Sequence, residues 1–193
     1  VLSADGFIGR HIVFHLRAHN VDLVAQARAP ARISAVGFQT LGLDLTAAAC
    51  HSTAFWQTRW PKITITHAAG LFTGKPAAFE AVNVETPEAL YATLHKGHAL
   101  LVSAVGIDAN TPFALWRRQG QAVAKAASAT ILQAGLVVAD SSYCGSSVIR
   151  ALASLPFATP VLGTSQQVFN PIHASDLAGV ALACLANPPG PGV

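Results

Sequence analysis

Ser3-Ala4-Asp5-Gly6-Phe7-Ile8-Gly9 is the stretch whose reading decides the fold, with Val1-Leu2 before it and an apolar stripe at Ile8, Ile12, Val13 and Leu16 running on from it. Val1 and Leu2 read as the tail of a buried strand. The stripe has helical spacing and carries a helix from Phe7 to His19. Between the two, Gly6 and Gly9 stand where the chain must turn sharply and where the new helix must lie close to the strand. A helix that begins this way aims free amide N–H groups beyond the strand end, an arrangement suited to a phosphate. Ser3 takes the first position of the GxxGxxG spacing in place of glycine, the smallest departure that position offers. Only two residues precede the turn, so the strand is expected to begin upstream of Val1.

Working outward, short apolar runs alternate with helical patterns. Val21–Ala25 reads as a second strand, Pro30 opens a helix through Val36, and Gln39–Leu43 is a third strand ending at Asp44. A helix over Ala47–Gln57, a strand over Lys62–Thr66, a long helix over Pro76–Leu94 and a strand over Ala99–Ser103 follow. Next come a helix from Pro112 to Ala127, a strand at Thr130–Gln133 and a Ser/Gly-rich loop from Asp140 to Ser147. A helix near Val148–Leu155, an extended piece at Gln167–Phe169, a helix over Ser175–Leu185 and a Pro/Gly-rich, linker-like tail from Asn187 complete the chain. This alternation predicts an α/β fold. The expected architecture is a Rossmann-type doubly wound parallel sheet with helices on both faces, one domain over residues 1–193, and a small C-terminal substrate lobe from about residue 140.

Composition excludes several function classes. Charged residues are 11% of the 193 and hydrophobic residues 52%, which rules out a disordered chain. Mean hydropathy is +0.44, yet no run reaches the about eighteen apolar residues that a membrane helix requires, so the domain is expected to be soluble and to make no membrane contact. Twelve Lys and Arg against nine Asp and Glu leave +3, scattered along the chain, which argues against nucleic acid as a partner. Cys50, Cys144 and Cys184 show no CxxC spacing and fit a reducing cytoplasm. His11, His15 and His19 share one helical face but have no acidic companion and no HExxH pattern, so no metal is expected.

The motifs resemble those of the short-chain dehydrogenase/reductase superfamily, in its extended or atypical branch of epimerase/dehydratase-like and NmrA-like proteins. SADGFIGRHIV (3–13) resembles its opening fingerprint, Asp44-Leu45 its adenine-contacting pair, and His67-Ala68-Ala69-Gly70 the segment bordering the cofactor. VNVETPEAL (82–90) resembles the central helix, LLVSAVG (100–106) the strand bearing an active-site serine at Ser103, and FNPIHASDLAGV (169–180) the C-terminal motif. SSYCGSSVIRALASLP (141–156) resembles a loop and helix of bacterial members of the atypical branch. The resemblance implies a dinucleotide cofactor on Ser3, Asp5, Gly6, Phe7, Ile8 and Gly9, with Asp44, Leu45, Ala68, Ala69 and Gly70 around it. Ser103 would position the reacting oxygen of a small carbonyl or alcohol; the small-molecule substrate itself is not named by any motif. Assembly is expected to be a monomer or a homodimer.

The departures bear most on function. The family's Tyr and, four residues on, Lys fall at Phe113 and Arg117. A phenyl ring has no proton to give, and a guanidinium does not titrate usefully, although Arg117 can still hold ribose hydroxyls. A slipped register would place Trp116 there, which also lacks an acid. Tyr143, in the Ser/Gly-rich loop, is the candidate substitute, while Tyr91 on the central helix is assigned to packing. His67 is a candidate for the substrate pocket, and His173 is assigned to orienting the loop before a Ser175 cap, with Asp176 complementing the helix dipole. A nucleophilic reading of Ser103 lacks the GxSxG elbow. At the end of the second strand VAQARAPAR (24–32) offers no acid but Arg28 and Arg32, which favours NADP while leaving NAD possible. Two readings of function therefore stand: an NAD(P)-dependent dehydrogenase/reductase or epimerase-like enzyme, and a catalytically inactive NAD(P)-binding sensor or assembly protein.

Overall fold

The computed structural model describes residues 1–60, 63–94, 98–158, 160 and 169–189. Its first helix, α1 (Phe7–Ala18), follows the opening turn and buries Gly9, Ile12, Val13 and Leu16, the stripe read from the sequence. Thereafter come β1 (Val24–Ala27), α2 (Ala31–Ser34), β2 (Gln39–Gly42), a 3-10 turn at Ala48–His51 and α3 (Thr53–Arg59). The next elements are β3 (Ile65–His67), α4 (Pro76–Glu80), a π-helical turn at Ala81–Glu85, α5 (Thr86–Tyr91) and β4 (Ala99–Ala104). The chain continues with α6 (Pro112–Ala126), β5 (Thr130–Ala134), β6 (Leu136–Val138), α7 (Gly145–Ala153), β7 (Pro171–His173) and α8 (Ala174–Ala186).

Every strand pairing is parallel: β1 with β2, β3 with β4, β4 with β5, and β6 with β7. The opening residues join the first two sets. Leu2 donates its amide to Thr66 at 2.9 Å and bridges His67, while Val1 O accepts from Gln26 N at 2.9 Å and Ala4 N donates to Gln26 O at 2.8 Å. The order across the sheet is therefore β2, β1, the opening segment, β3, β4, β5. The order reverses at the opening segment, the switch point at which such folds place a ligand.

Both faces are covered because the strands alternate. On β4, Ala99 and Leu101 enter a core with Trp56, Val82, Leu90 and Tyr91, whereas Leu100 and Val102 enter another with Ile12, Leu16, Leu177, Ala178 and Ala181. Trp56, 1% exposed, satisfies its indole N–H on Cys50 O at 2.8 Å. Because α8 shares a core with α1 and β4, this last part of the chain after Asp140 is a layer of the sandwich itself. A groove of about 580 Å³ opens at the amino ends of β1 and β3, lined by Val1, Leu23, Trp56, Ile63 and Leu185 among others. It lies at the opposite ends of the strands from the opening turn.

Several boundaries differ from the sequence reading. The second strand starts at Val24, not Val21, because its ladder is set by pairing with Gln39 to Gly42. The helix expected over Ala47–Gln57 splits into the 3-10 turn and α3, with Ser52 extended between them. The helix expected from Pro76 to Leu94 ends at Tyr91 and contains the π turn. The loop expected to reach Ser147 ends at Cys144, and β6 and β7 were not foreseen. Lys62, Gln167 and the tail from Gly190 lie outside the described residues. Among the described residues no helix is long and apolar enough to cross a membrane.

Candidate active site

The turn at the start of α1 is built around Ser3. Its φ of +55° lies in the left-handed region that glycine occupies freely, so the serine adopts the backbone form the motif requires. Gln26 holds it there: Gln26 Oε1 accepts from Ser3 N at 2.8 Å, and Gln26 Nε2 donates to Leu43 O at 2.5 Å. Gly6 N then donates to Ser3 O at 3.0 Å. A Cβ on Gly9 would lie 2.0 Å from that same carbonyl oxygen, and one on Gly6 would lie 3.0 Å from Ser3 Oγ. The helix start carries no side-chain cap and no acidic residue in its first turn. Its free N–H groups and positive dipole end are thus available to an anion, and Gly9 lets the helix start pack against the Ser3 backbone. Asp5 is exposed beside this turn, and Ile8 packs into the core with Ile12.

The other expected cofactor residues divide between surface and core. Arg28 and Arg32 are exposed just beyond β1. Asp44 is exposed and accepts from the amide and hydroxyl of Thr46 at 2.9 and 2.8 Å; these two bonds hold its carboxyl below the usual range. Leu45 is a core side chain, and its carbonyl accepts from Thr86 Oγ1 at 2.7 Å. Ala69 is likewise buried, Ala68 packs against the α1 and α8 core, and Gly70 is exposed beyond the carboxyl end of β3.

His67, expected at the substrate pocket, is buried. It is 2% exposed on β3, with Nδ1 2.9 Å from the Tyr91 hydroxyl and Nε2 unpartnered. Burial, aided by the charge of Arg117, pushes its pKa down to about 3, so the ring is neutral. Tyr91 is the packing residue expected, buried at the far end of that contact.

Arg117, and not Trp116, faces Gly70. A Cβ on Gly70 would lie 2.2 Å from one guanidinium nitrogen of Arg117 and 2.9 Å from its Cζ, so a larger residue there would make the guanidinium shift. The guanidinium stands 5.3 Å from the centroid of the Phe113 ring, which itself lies 6.0 Å from Phe72. Trp116 instead stacks on Phe79 at 6.0 Å. Position 113 therefore presents hydrocarbon and no proton donor beside Arg117.

Ser103 lies at the carboxyl end of β4 and is 5% exposed. Its Oγ accepts from Gln121 Nε2 at 2.8 Å, and Gln121 Oε1 accepts from Gln133 Nε2 at 3.1 Å. Sequence reading missed both glutamines. The available signal was spacing: Phe113, Arg117 and Gln121 recur every four residues on α6 and so share one face. Tyr143 is 62% exposed and stacks on Phe7 at 6.3 Å, placing it over the start of α1. Arg10 reaches Ser141 beside it. His173, expected to orient a Ser175 cap, is itself the cap of α8: its Nδ1 accepts from Ser175 N at 3.3 Å, and Asp176 sits in the first turn as expected. Among the described residues no cluster of His, Cys, Asp and Glu gathers to hold a metal.

Solved structures share this architecture. A short-chain dehydrogenase from Streptomyces avermitilis superposes with a TM-score of 0.65 at 15% identity, covering 99% of this chain and 84% of its own. A protein assigned to the NAD-dependent epimerase/dehydratases from Bacillus halodurans gives 0.67 at 16% identity over 96% and 86%. ElxO, solved with NADP bound, gives 0.65 at 13% identity over 96% and 89%. The chain thus has the Rossmann fold of short-chain dehydrogenases and epimerase/dehydratases. No protein-family model and no curated protein sequence matches it.

Proposed function

We propose that this chain belongs to the atypical short-chain dehydrogenases/reductases, binds NADP in preference to NAD, and works on a small carbonyl or alcohol. The observation that carries this reading is the opening turn, in which a left-handed Ser3 and the Gly9 contact bring an uncapped, acid-free helix start to the switch point of the sheet. Gly6 to Gly9 would hold the diphosphate, and the exposed Arg28 and Arg32 would meet a ribose phosphate. The cofactor, when bound, supplies hydride transfer. Ser103 would bind the reacting oxygen, held in place by Gln121. Phe113 and Phe72 would keep water from one wall of the cleft. The proton would be exchanged with Tyr143 or with water, since position 113 has none.

Phe113 also favours a second reading, a protein that keeps the nucleotide cleft as a sensor without turnover. Titration with NADPH and NADH, followed by cofactor fluorescence, tests both. Binding of NADPH that is abolished by Gly6→Asp supports the cofactor site; binding of neither cofactor to the folded protein overturns it. With binding in hand, a screen of carbonyl substrates decides between enzyme and sensor.

A further inference from the structure

The groove of about 580 Å³ at the amino ends of β1 and β3 lies in the plane of the sheet, in line with Val1 and Leu2. These two residues already take part in the ladder. The Val1 nitrogen donates to Val24 O at 2.8 Å, Gln26 N donates to Val1 O at 2.9 Å, and Leu2 N donates to Thr66 O at 2.9 Å. Between parallel strands such bonds recur at every second residue. Carried one step toward the amino ends, the same alternation turns Val24 N–H and Thr66 N–H into the groove. Its walls come from both faces of the sheet, Trp56, Trp60 and Leu90 from one and Leu16, Leu182 and Leu185 from the other. Trp60, Leu182 and Leu185 are only half-buried.

Two-sided apolar walls suit a strand, which sends successive side chains to opposite faces. Leu2 enters the core of Trp56 and Leu90, and Val1 packs against the core of Leu16. A residue joined to the Val1 nitrogen therefore faces Trp56 and Trp60, and the residue before it faces Leu16 and Leu182. The lining reaches back to Val21 beside β1 and to Ile63 beside β3, which is room for about three residues at about 3.3 Å each. Asp22, exposed at the rim, suits a cationic residue ahead of them. The Val1 nitrogen agrees with this. Burial pushes the pKa of its ammonium down from 8.0 to about 6, whereas a peptide amide in that place makes the same bond to Val24 O without a charge. We propose that the groove is a strand-binding slot whose occupant is an extended apolar segment running into Val1, parallel to β1 and β3. The slot lies at the opposite ends of the strands from the Ser3 turn, so the inference stands apart from the dehydrogenase reading and its test needs no cofactor.

That test compares the 193-residue chain with two forms extended at Val1, one by Lys-Val-Ile-Val and one by Lys-Ser-Gly-Ser. Thermal unfolding, acrylamide quenching of tryptophan fluorescence and size-exclusion chromatography are run on all three. Lys-Val-Ile-Val is expected to raise the Tm by at least about 5 °C over Lys-Ser-Gly-Ser. It is also expected to lower the quenching, because the segment covers the half-buried Trp60. Lys-Thr-Val-Thr, a more soluble strand former, serves where Lys-Val-Ile-Val aggregates and is expected to give about half of the rise or more. Equal Tm values for the apolar and the Ser/Gly extensions overturn the proposal. A rise in Tm with quenching unchanged also overturns it, since the segment then packs elsewhere. So does a dimer formed only by the apolar extension, which makes a second copy the occupant. The dye anilinonaphthalene sulfonate is expected to bind the unextended chain and to be displaced by the apolar extension; equal binding to both makes the groove a small-molecule pocket and overturns the strand.

Discussion

Gly9 lies so close to Ser3 that a Cβ on it would stand 2.0 Å from the Ser3 carbonyl oxygen and 2.8 Å from the carbonyl carbon. The obstacle is backbone, which cannot swing aside as a side chain does. Gly9→Ala must therefore push α1 away from the opening segment, at a cost of about 1–3 kcal/mol by analogy with overpacked cores. Gly145 is the internal control, since a Cβ there meets nothing within 4 Å. Urea unfolding of the two alanine variants should show the loss for Gly9→Ala and a change within about 1 kcal/mol for Gly145→Ala. Equal behaviour would mean that α1 adjusts freely.

Ser3 makes the opposite prediction. Its φ of +55° is held by Gln26 and Gly6 and not by any preference of serine. Ser3→Gly removes the strain of that region, which costs about 1–2 kcal/mol, and gives back part of the gain through the freer unfolded chain. A net stabilisation of about 0.5 kcal/mol is expected, read as a small rise in Tm. A fall in Tm would show that Ser3 Oγ does more for the turn than its backbone costs.

These two neighbours show what a sequence does and does not disclose. Gly6, Gly9 and the stripe through Leu16 were legible because a turn and a one-sided helix are local patterns, and they led to the fold. The π turn at Ala81–Glu85 was not, since it arises where Asn83 donates its side-chain amide to Phe79 O inside a continuous helical pattern. Nor was β6, three residues long and pinned by the approach of Gly135 to Asn170, where a Cβ would meet the carbonyl oxygen at 1.9 Å. In the candidate site, the identities of Phe113 and Arg117 were legible, but not the approach of the Arg117 guanidinium to Gly70. His67 looked like a pocket residue because HAAG ends a strand; its burial depends on β4 and α5, which lie far away in sequence.

The glutamines beside Ser103 form a chain of donors and acceptors, from the exposed Gln133 to the buried Gln121 and Ser103. Gln121→Leu leaves the buried Ser103 hydroxyl without its partner, while water takes up the exposed Gln133 amide, and is expected to cost about 1–3 kcal/mol. Ser103→Ala should cost less, and the double variant less than the sum, because each removes the same bond. A double-mutant cycle by urea unfolding measures this coupling. Strict additivity would mean that the bond contributes nothing to the folded state.

The final prediction concerns acid. His67 has a folded pKa of about 3 against its ordinary 6.5, and burial is the main cause. Above pH 6.5 both folded and unfolded chains hold the ring neutral, so the stabilisation is fully present. As the pH falls from 6.5 toward 3, the unfolded chain binds a proton that the folded chain refuses. Stability then drops by up to about 1.4 kcal/mol per pH unit from this one group. His11 and His98, also lowered mainly by burial, act in the same direction. His67→Gln keeps a polar partner for the Tyr91 hydroxyl while removing the titration. Unfolding free energies measured between about pH 7 and pH 4.5 should fall less steeply for the variant, by close to one proton's worth of slope. An unchanged slope would show that water reaches His67 in the folded state and lets it charge there.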